Sequence, residues 1–339
     1  MLLSEQDAVA LVTQAFMGAG VSASMAQDAA QMLTTAQMMG IDTHGLARVT
    51  NYIDRINAGG VNPKADPVIT SPAPALLQVD GQNGLGAAVA LRATRATMDA
   101  ARQTGIAAAF CRHSSHLGAL APLLWVAAQE GFAAIITTNS APMIAPAGGC
   151  QAMLGNAPFG LAMPDADGDP VLLDMALSVA ARSKVRAAET AGTAIPETWA
   201  TDASGRPTTD AAAAMKGLMQ AIGGTKGANL SLCLDLFAGG LSGAGMMDEI
   251  PNANLTPGAV ANVGHMIIVI DAARLMPAED LSQRLAGTRS KLETSAAVEA
   301  SQPVRLPGAR AVAALKTAQT QGFSIAPELF EKLNELAET

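Results

Sequence analysis

Six short apolar runs, each bordered by glycine, proline or aspartate, constrain this chain most: ALLQVD (75–80), IAAAFC (106–111), FAAIITTN (132–139), FGLAM (159–163), PVLLDMA (170–176) and HMIIVID (265–271). Runs of that length with such borders read as β-strands. Between them lie longer helical stretches: the Ala-rich 84–103, then 117–130 and 228–239. Strands mixed with helices in one region give an α/β core. No repeat of 20–50 residues is visible, so a solenoid or propeller is excluded.

The two ends read as helices. Ser4 and Asp7 form a capping-box-like start, Val9, Val12 and Phe16 follow at helical spacing, and Gly18 and Gly20 stop the run. A second helix runs from Ser24 to Gly40, and a third from about Gly45 to Ala58 before Gly59-Gly60. The stretch VNPKADPVITSPAP (61–74) carries four prolines and reads as a linker or surface crossing. Residues 279–339 are helical again, with Pro327 near a helix start. The expected organisation is an N-terminal helical segment (1–70) packing with a C-terminal one (272–339) around a central α/β region (71–271).

Half of the 339 residues are hydrophobic and 15% are charged, which is enough to build a packed core and excludes general disorder. The net charge of -8, with two Trp, one Tyr and seven Phe, argues against nucleic-acid binding. No signal peptide and no 18-residue apolar span stand out, so the expectation is a cytoplasmic protein without membrane contact. Cys111, Cys150 and Cys233 form no C-x-x-C pair and are expected as buried free thiols.

Four constellations could carry chemistry. In DTHGLARVTNYIDRI (42–56), His44, Arg48 and Tyr52 are spaced i, i+4, i+8, which on one helix covers an 80° arc, while Leu46, Val49, Ile53 and Ile56 form an apolar stripe. A guanidinium fork suits a carboxylate, an imidazole suits proton transfer, and a phenol can orient either. The alternative is a solvated face with a cap histidine. In CRHSSHLG (111–118), His113 and His116 stand just past a strand end, where side chains often face a ligand. They are either structural or engaged in proton transfer, and they lack a third metal ligand. TTNSAPMIAPAGG (137–149) with LGNAPF (154–159) either lines a pocket or is a surface loop. IGGTKG (222–227) either cradles a phosphate at a helix start or is a plain turn. There is no G-x-G-x-x-G after the first strand, no P-loop, no G-x-S-x-G and no H-E-x-x-H, so any nicotinamide site would have to be built in another way.

Seven blocks occur in order: GIDTHGLARVTNYIDRINAGGVNP, RHSSHLGAL, TTNSAPMIAPAGG, LLDMALSVAARSKV, IPETWATDASGRPTTD, GGTKGANLSLCLDLFAGGLSGA and VRLPGAR. Together they resemble the malate/L-lactate dehydrogenase family of the non-Rossmann type, over nearly the whole chain. That family also includes ureidoglycolate, sulfolactate and diketogulonate oxidoreductases, and cyclic imine reductases acting on piperideine- and pyrroline-2-carboxylate. The resemblance implies a homodimer with a non-Rossmann nicotinamide-binding α/β fold, a mixed central sheet and helical flanks. It implies hydride transfer between NAD(P)H and C2 of a small 2-oxo or 2-imino acid.

By that resemblance Arg48 binds the substrate carboxylate and His44 is the proton donor next to Thr43; Tyr52 is placed on the substrate side by its position on the same arc. In some members the second block supplies the acid/base, here His116, and the two remain open. The resemblance assigns His116, Leu117, Gly118, Ala119, Leu120, Asp174, Met175, Ala176, Lys226, Gly308 and Arg310 to the NAD or NADP site. It assigns Asn156, Arg182, Ser183 and Lys184 to the substrate side. Two departures bear on substrate. The imine reductases carry Ser before the first histidine and Asp where this chain has Lys184, so Thr43 and Lys184 resemble the hydroxyacid dehydrogenases. The family's Gly-Thr-Asn-Pro loop here reads Gly155, Asn156, Ala157, Pro158.

Overall fold

The computed structural model describes residues 1–299 and 301–338. The chain opens with β1 (Leu2–Leu3) and α1 (Glu5–Gly18). Ser4 caps α1 as its sequence implies: its Oγ accepts the Asp7 N–H at 3.1 Å and donates to Asp7 Oδ2 at 2.7 Å. Val12 and Phe16 are fully buried, each contributing about 1.5–3 kcal/mol. Next come α2 (Ala23–Met38) and α3 (Arg48–Asn57).

The third helix does not begin at Gly45. Residues Asp42–His44 form a separate 3-10 turn, and Gly45 is extended at ψ -140°. A Cβ on Gly45 would stand 2.6 Å from Gln37 Oε1, and that same oxygen accepts the Leu46 N–H at 3.1 Å. Close approach to α2 therefore breaks the helix between His44 and Arg48.

The proline-rich crossing also holds a strand, β2 (Val68–Ala73), paired antiparallel with β3 (Leu76–Asp80). β2 is an edge strand and its register slips between Thr70 and Ala73, so Pro72 is tolerated there. Then follow α4 (Gly86–Thr104), β4 (Ile106–Ser114), α5 (Ala121–Gln129), β5 (Phe132–Thr138), β6 (Phe159–Met163) and β7 (Val171–Met175). Beyond them lie α6 (Arg182–Ala191), α7 (Ala211–Lys216) and α8 (Thr225–Asp235), the last continuing as a π-helical turn over Leu236–Gly240. The chain closes with β8 (Val263–Asp271), α9 (Ala278–Glu293), α10 (Ala309–Gln321), β9 (Phe323–Ser324) and α11 (Pro327–Ala337).

β2 to β8 form one seven-stranded sheet in the order β2-β3-β4-β8-β5-β6-β7. Only β3–β4 is parallel, so the sheet is mixed. The last of its strands in sequence, β8, lies between β4 and β5. The main core runs without interruption from α1 and α2 through α4 and α5 to the sheet. A second, smaller core gathers Ile144, Leu154, Val185, Ile195, Ala200 and Met219 from the stretch that leaves β5 and returns through α8. At the ends, β1 pairs with β9, α1 and α3 pack on α11, and α10 packs on α2. α9 instead meets the β6–β7 turn, where Ser282 Oγ accepts the Ala166 N–H and Arg289 donates to Asp169 O.

Candidate active site

The break at Gly45 sets the geometry of the first constellation. His44 is not on the α3 face with Arg48 and Tyr52, as the spacing suggested, but on the turn before it. Thr43 Oγ1 is 2.9 Å from His44 Nδ1. Arg48 Nε donates to Thr43 O at 2.7 Å, which folds the guanidinium back toward that turn. Among the described residues the two Nη groups of Arg48 have no hydrogen-bond partner. Leu46, Val49, Ile53 and Ile56 are buried as an apolar stripe should be. Tyr52 is buried with them rather than exposed on a polar face, and its hydroxyl lies 2.7 Å from His116 Nδ1.

His116 follows the end of β4. Its ring stacks on His44, with centroids 5.6 Å apart and planes 27° from parallel. Gly118, at φ +90°, turns the chain so that a Cβ there would lie 3.6 Å from His44 O and 4.0 Å from the Tyr52 hydroxyl. Two histidine blocks far apart in sequence thus meet over one phenol.

This cluster has two arginines close by and no carboxylate acting on either ring. Burial, aided by the Arg48 charge, lowers His44 to about 4. Burial, then Arg48, His44, Arg55 and His265 in that order, hold His116 well below the usual histidine value. Burial pushes the Tyr52 phenol up. Both imidazoles are therefore neutral near pH 7. Arg55 was not anticipated. It is 1% exposed and donates to Gly60 O at 3.2 Å and Ala259 O at 3.0 Å.

The residues expected around a cofactor divide. Leu117 and Leu120 are buried in the main core, while Gly118 and Ala119 are half-buried. Among the described residues the backbone N–H groups of Leu117, Gly118 and Ala119 have no acceptor. Those of Leu120 and Ala121, by contrast, both donate to Asp174 Oδ2 at 2.9 and 2.8 Å. Asp174 thereby fixes the start of α5, and burial raises its pKa against those two bonds. Met175 and Ala176 follow it, half-buried. Gly308, at φ +80°, starts α10 against β7, where a Cβ would lie 2.4 Å from Leu172 O. Arg310 is exposed in the first turn of α10. Three unused amides beside His116, with a cation on the adjoining helix start, are the donor set that the phosphates of a dinucleotide need. The residues present fit a nicotinamide cofactor.

The remaining expected residues sit with the second core. Arg182 Nη2 donates to Met215 O at 2.7 Å and so ties α6 to the end of α7. Ser183 and Lys184 are exposed, with Lys184 Nζ 5.9 Å above the Trp199 ring. Asn156 Oδ1 accepts the Ser140 hydroxyl at 3.0 Å, and its carbonyl accepts the Leu177 N–H at 2.8 Å. Lys226 is exposed in the first turn of α8, after Gly223 and Gly224 at positive φ. That helix start borders an open cleft of about 230 Å³ lined by residues 144–150 and 218–221. Among the described residues none of these side chains has a hydrogen bond or ring contact with the histidine pair.

His113 has a structural partner, its Nδ1 lying 3.0 Å from Asp80 Oδ2. Among the described residues no group of three His, Cys, Asp or Glu side chains is placed to hold a metal. Cys111 is buried, its thiol pushed up to about 12, but Cys150 and Cys233 are exposed, against the expectation for all three. Exposure is read from packing partners that three isolated cysteines do not reveal.

A half-buried pair of neutral imidazoles, a phenol and a guanidinium, set on a mixed sheet without a Gly-x-Gly turn, define a nicotinamide-linked oxidoreductase outside the Rossmann class. The chain belongs to the malate/L-lactate dehydrogenase family, whose model matches residues 3–334. It is 33% identical to the malate dehydrogenase of Pyrococcus horikoshii, over 94% of this chain and 89% of that one. It is 32% identical to the Delta(1)-pyrroline-2-carboxylate reductase of Ancylobacter novellus, over 98% and 97%. Among solved structures, a dehydrogenase from Sinorhizobium meliloti superposes with a TM-score of 0.86, at 32% identity over 99% and 98% of the two chains. The protein is accordingly an NAD- or NADP-dependent oxidoreductase that transfers hydride.

Proposed function

We propose that the substrate is a small 2-oxo acid or its 2-hydroxy partner, malate- or lactate-like, gripped by Arg48 and exchanging its proton with the histidine pair. The observation that carries this reading is the Tyr52–His116–His44 stack beside a guanidinium whose Nη groups are free. Two parallel Nη–H donors match a carboxylate. The bound nicotinamide supplies or accepts the hydride at C2.

In this reading His116 Nδ1–H donates to the Tyr52 hydroxyl oxygen 2.7 Å away, which leaves Nε2 bare in the neutral ring to exchange a proton with a reacting oxygen. His44, held by Thr43, stacks on the His116 ring and keeps it from turning. In the oxidising direction a neutral His116 takes the hydroxyl proton. In the reducing direction the substrate carboxylate offsets the Arg48 charge, so His116 can be charged before it donates. The amides of Leu117, Gly118 and Ala119, with Arg310 and Lys226, hold the cofactor. Asn156 and the Arg182–Lys184 turn close the substrate side.

A second reading, a cyclic imine reductase, is favoured by the equal similarity to the pyrroline-2-carboxylate reductase. Lys184 speaks against it, because an ammonium lying over Trp199 cannot do the work of a carboxylate. We further propose a cytoplasmic homodimer that uses the exposed Leu230, Leu236, Phe237 and Leu241 of α8 and its extension. Among the described residues no helix is long and apolar enough to cross a membrane. Residues 1–70 with 272–339 then form one unit around 71–271, an arrangement supported by the β1–β9 and α1–α11 contacts.

The test is turnover of pyruvate, oxaloacetate and pyrroline-2-carboxylate with NADH and with NADPH, followed by nicotinamide absorbance. Preference for the oxo acids is the expected result. Turnover of the imine alone selects the second reading, and turnover of none removes both.

A further inference from the structure

His265 is the fourth histidine of the chain, and neither the motifs nor the mechanism above uses it. It is 0% exposed, the third residue of β8, and both its ring nitrogens are engaged. Nδ1 lies 2.7 Å from Thr138 Oγ1 on β5, and Nε2 lies 2.7 Å from Ser114 Oγ on β4. The proton positions follow from the chain of partners. The Thr138 hydroxyl donates to Gly264 O at 2.9 Å, so its oxygen must receive Nδ1–H. Nε2 is then bare and accepts the Ser114 hydroxyl. Burial lowers His265 to about 3, in keeping with a neutral ring.

Ser114 is two residues before His116, on the far side of a break. The β4–β8 register slips between Cys111 and Ser114, and His113 at that slip holds φ +48°, a left-handed conformation costly for a residue with a Cβ. Across this slip the backbone ladder is interrupted and resumes only at the last pair, Ser114↔Val263. Side chains take over. Asn262 Oδ1 accepts the His113 N–H at 2.7 Å, Ser114 is held by His265, and Ser115 Oγ donates to Gly84 O while accepting the Gly86 N–H.

We propose that His265 is a positioning residue: through Ser114 it sets the height and orientation at which His116 meets the substrate. This rests on the acid/base reading of His116. His265 itself is sealed from substrate, so apart from the small effect of its charge on His116 its influence passes through the Ser114 hydroxyl and the strand end.

Three variants test it. Ser114→Ala cuts the link and leaves His265 and the core volume in place. His265→Asn carries an amide only as far as Nδ1 and so keeps the Thr138 bond, whereas His265→Gln reaches as far as Nε2 and keeps the Ser114 bond. A 1 Å misplacement can cost about 100-fold in rate, so a partial loosening should cost on the order of tenfold. Ser114→Ala and His265→Asn are expected to lose about that much kcat and to shift the pH limb of kcat, with KM within about twofold because Arg48 is on another element. His265→Gln should stay close to the parent. Ser114→Ala with parental kcat and pH profile, or Asn and Gln variants of equal kcat at equal melting temperature, would overturn the proposal. Should the His265 variants fail to fold, Ser114→Ala decides alone. His116→Ala, run in parallel, separates the two claims: if it is unimpaired the acid/base reading itself fails, and if it is impaired while Ser114→Ala is not, only the positioning fails.

Discussion

The end of β4 and the start of α6 both carry basic residues that the sequence places at the site, and the structure treats them in opposite ways. From Arg112 to Ser115 each residue is tied to a neighbour: Arg112 O and His113 O accept the Gly81 and Asn83 N–H groups, and both serine hydroxyls are engaged. At α6, Ser183 and Lys184 stand exposed, Lys184 reaching only over the Trp199 ring, while Arg182 is tied to the end of α7. Fixed geometry is what proton transfer needs, because a donor must lie within hydrogen-bond reach of the reacting atom. A loosely held wall can vary with the substrate at little cost to the core. The difference suggests that chemistry resides in the main core and substrate choice in the second.

The sharpest way to break that division is His116→Ala. Loss of general acid/base catalysis should lower kcat by about 10²–10⁴-fold in pre-steady-state assays. A loss of less than tenfold would move the chemistry elsewhere. Arg48→Lys comes next: one ammonium replaces the fork, and kcat/KM should fall on the order of 10–100-fold, from the loss of a charge-assisted hydrogen bond of ~1.5–3 kcal/mol. An unchanged kcat/KM would show that the carboxylate is held by the second core instead.

The third prediction is thermodynamic. His44 and His265 are lowered to about 4 and about 3, so the unfolded chain binds protons first as pH falls. Stability is therefore full above about pH 6.5, the ordinary histidine value, and declines toward pH 4–3. Melting temperature against pH checks this. His44→Gln should flatten the upper part of the decline, and a parallel curve for that variant would show that His44 is not buried uncharged. The smallest effect belongs to Lys184→Ala, where loss of an exposed cation–π contact costs about 0.5–1 kcal/mol. Kinetic change limited to the KM values of different acids would sharpen the comparison, and a large fall in kcat would blur it.

What could be read in advance follows the range of the forces. All six strands and the buried stripe of α3 are local patterns of apolar residues, and they stand where the sequence placed them. The break before α3 was hidden because it depends on Gln37 of a different helix pressing on Gly45. β2 was masked by prolines that an edge strand with a register slip tolerates. Tyr52 reads as surface from its spacing, yet a phenol can be buried once its hydroxyl finds a partner, and that partner, His116, lies on another block. Asp174 is at the expected place, with a task the sequence did not suggest, the holding of α5. His265 left one clue, a polar ring at the head of the apolar run HMIIVID.

The central place of β8 governs how the molecule can assemble. β4 and β5 do not pair with each other, and the strand between them is made only after the whole second core has been synthesised. Until it arrives, the growing polypeptide holds two half-sheets with open inner edges, a state prone to sticking and slow to resolve. Since that late strand also carries His265, the residue proposed to position His116 arrives with the strand that closes the sheet.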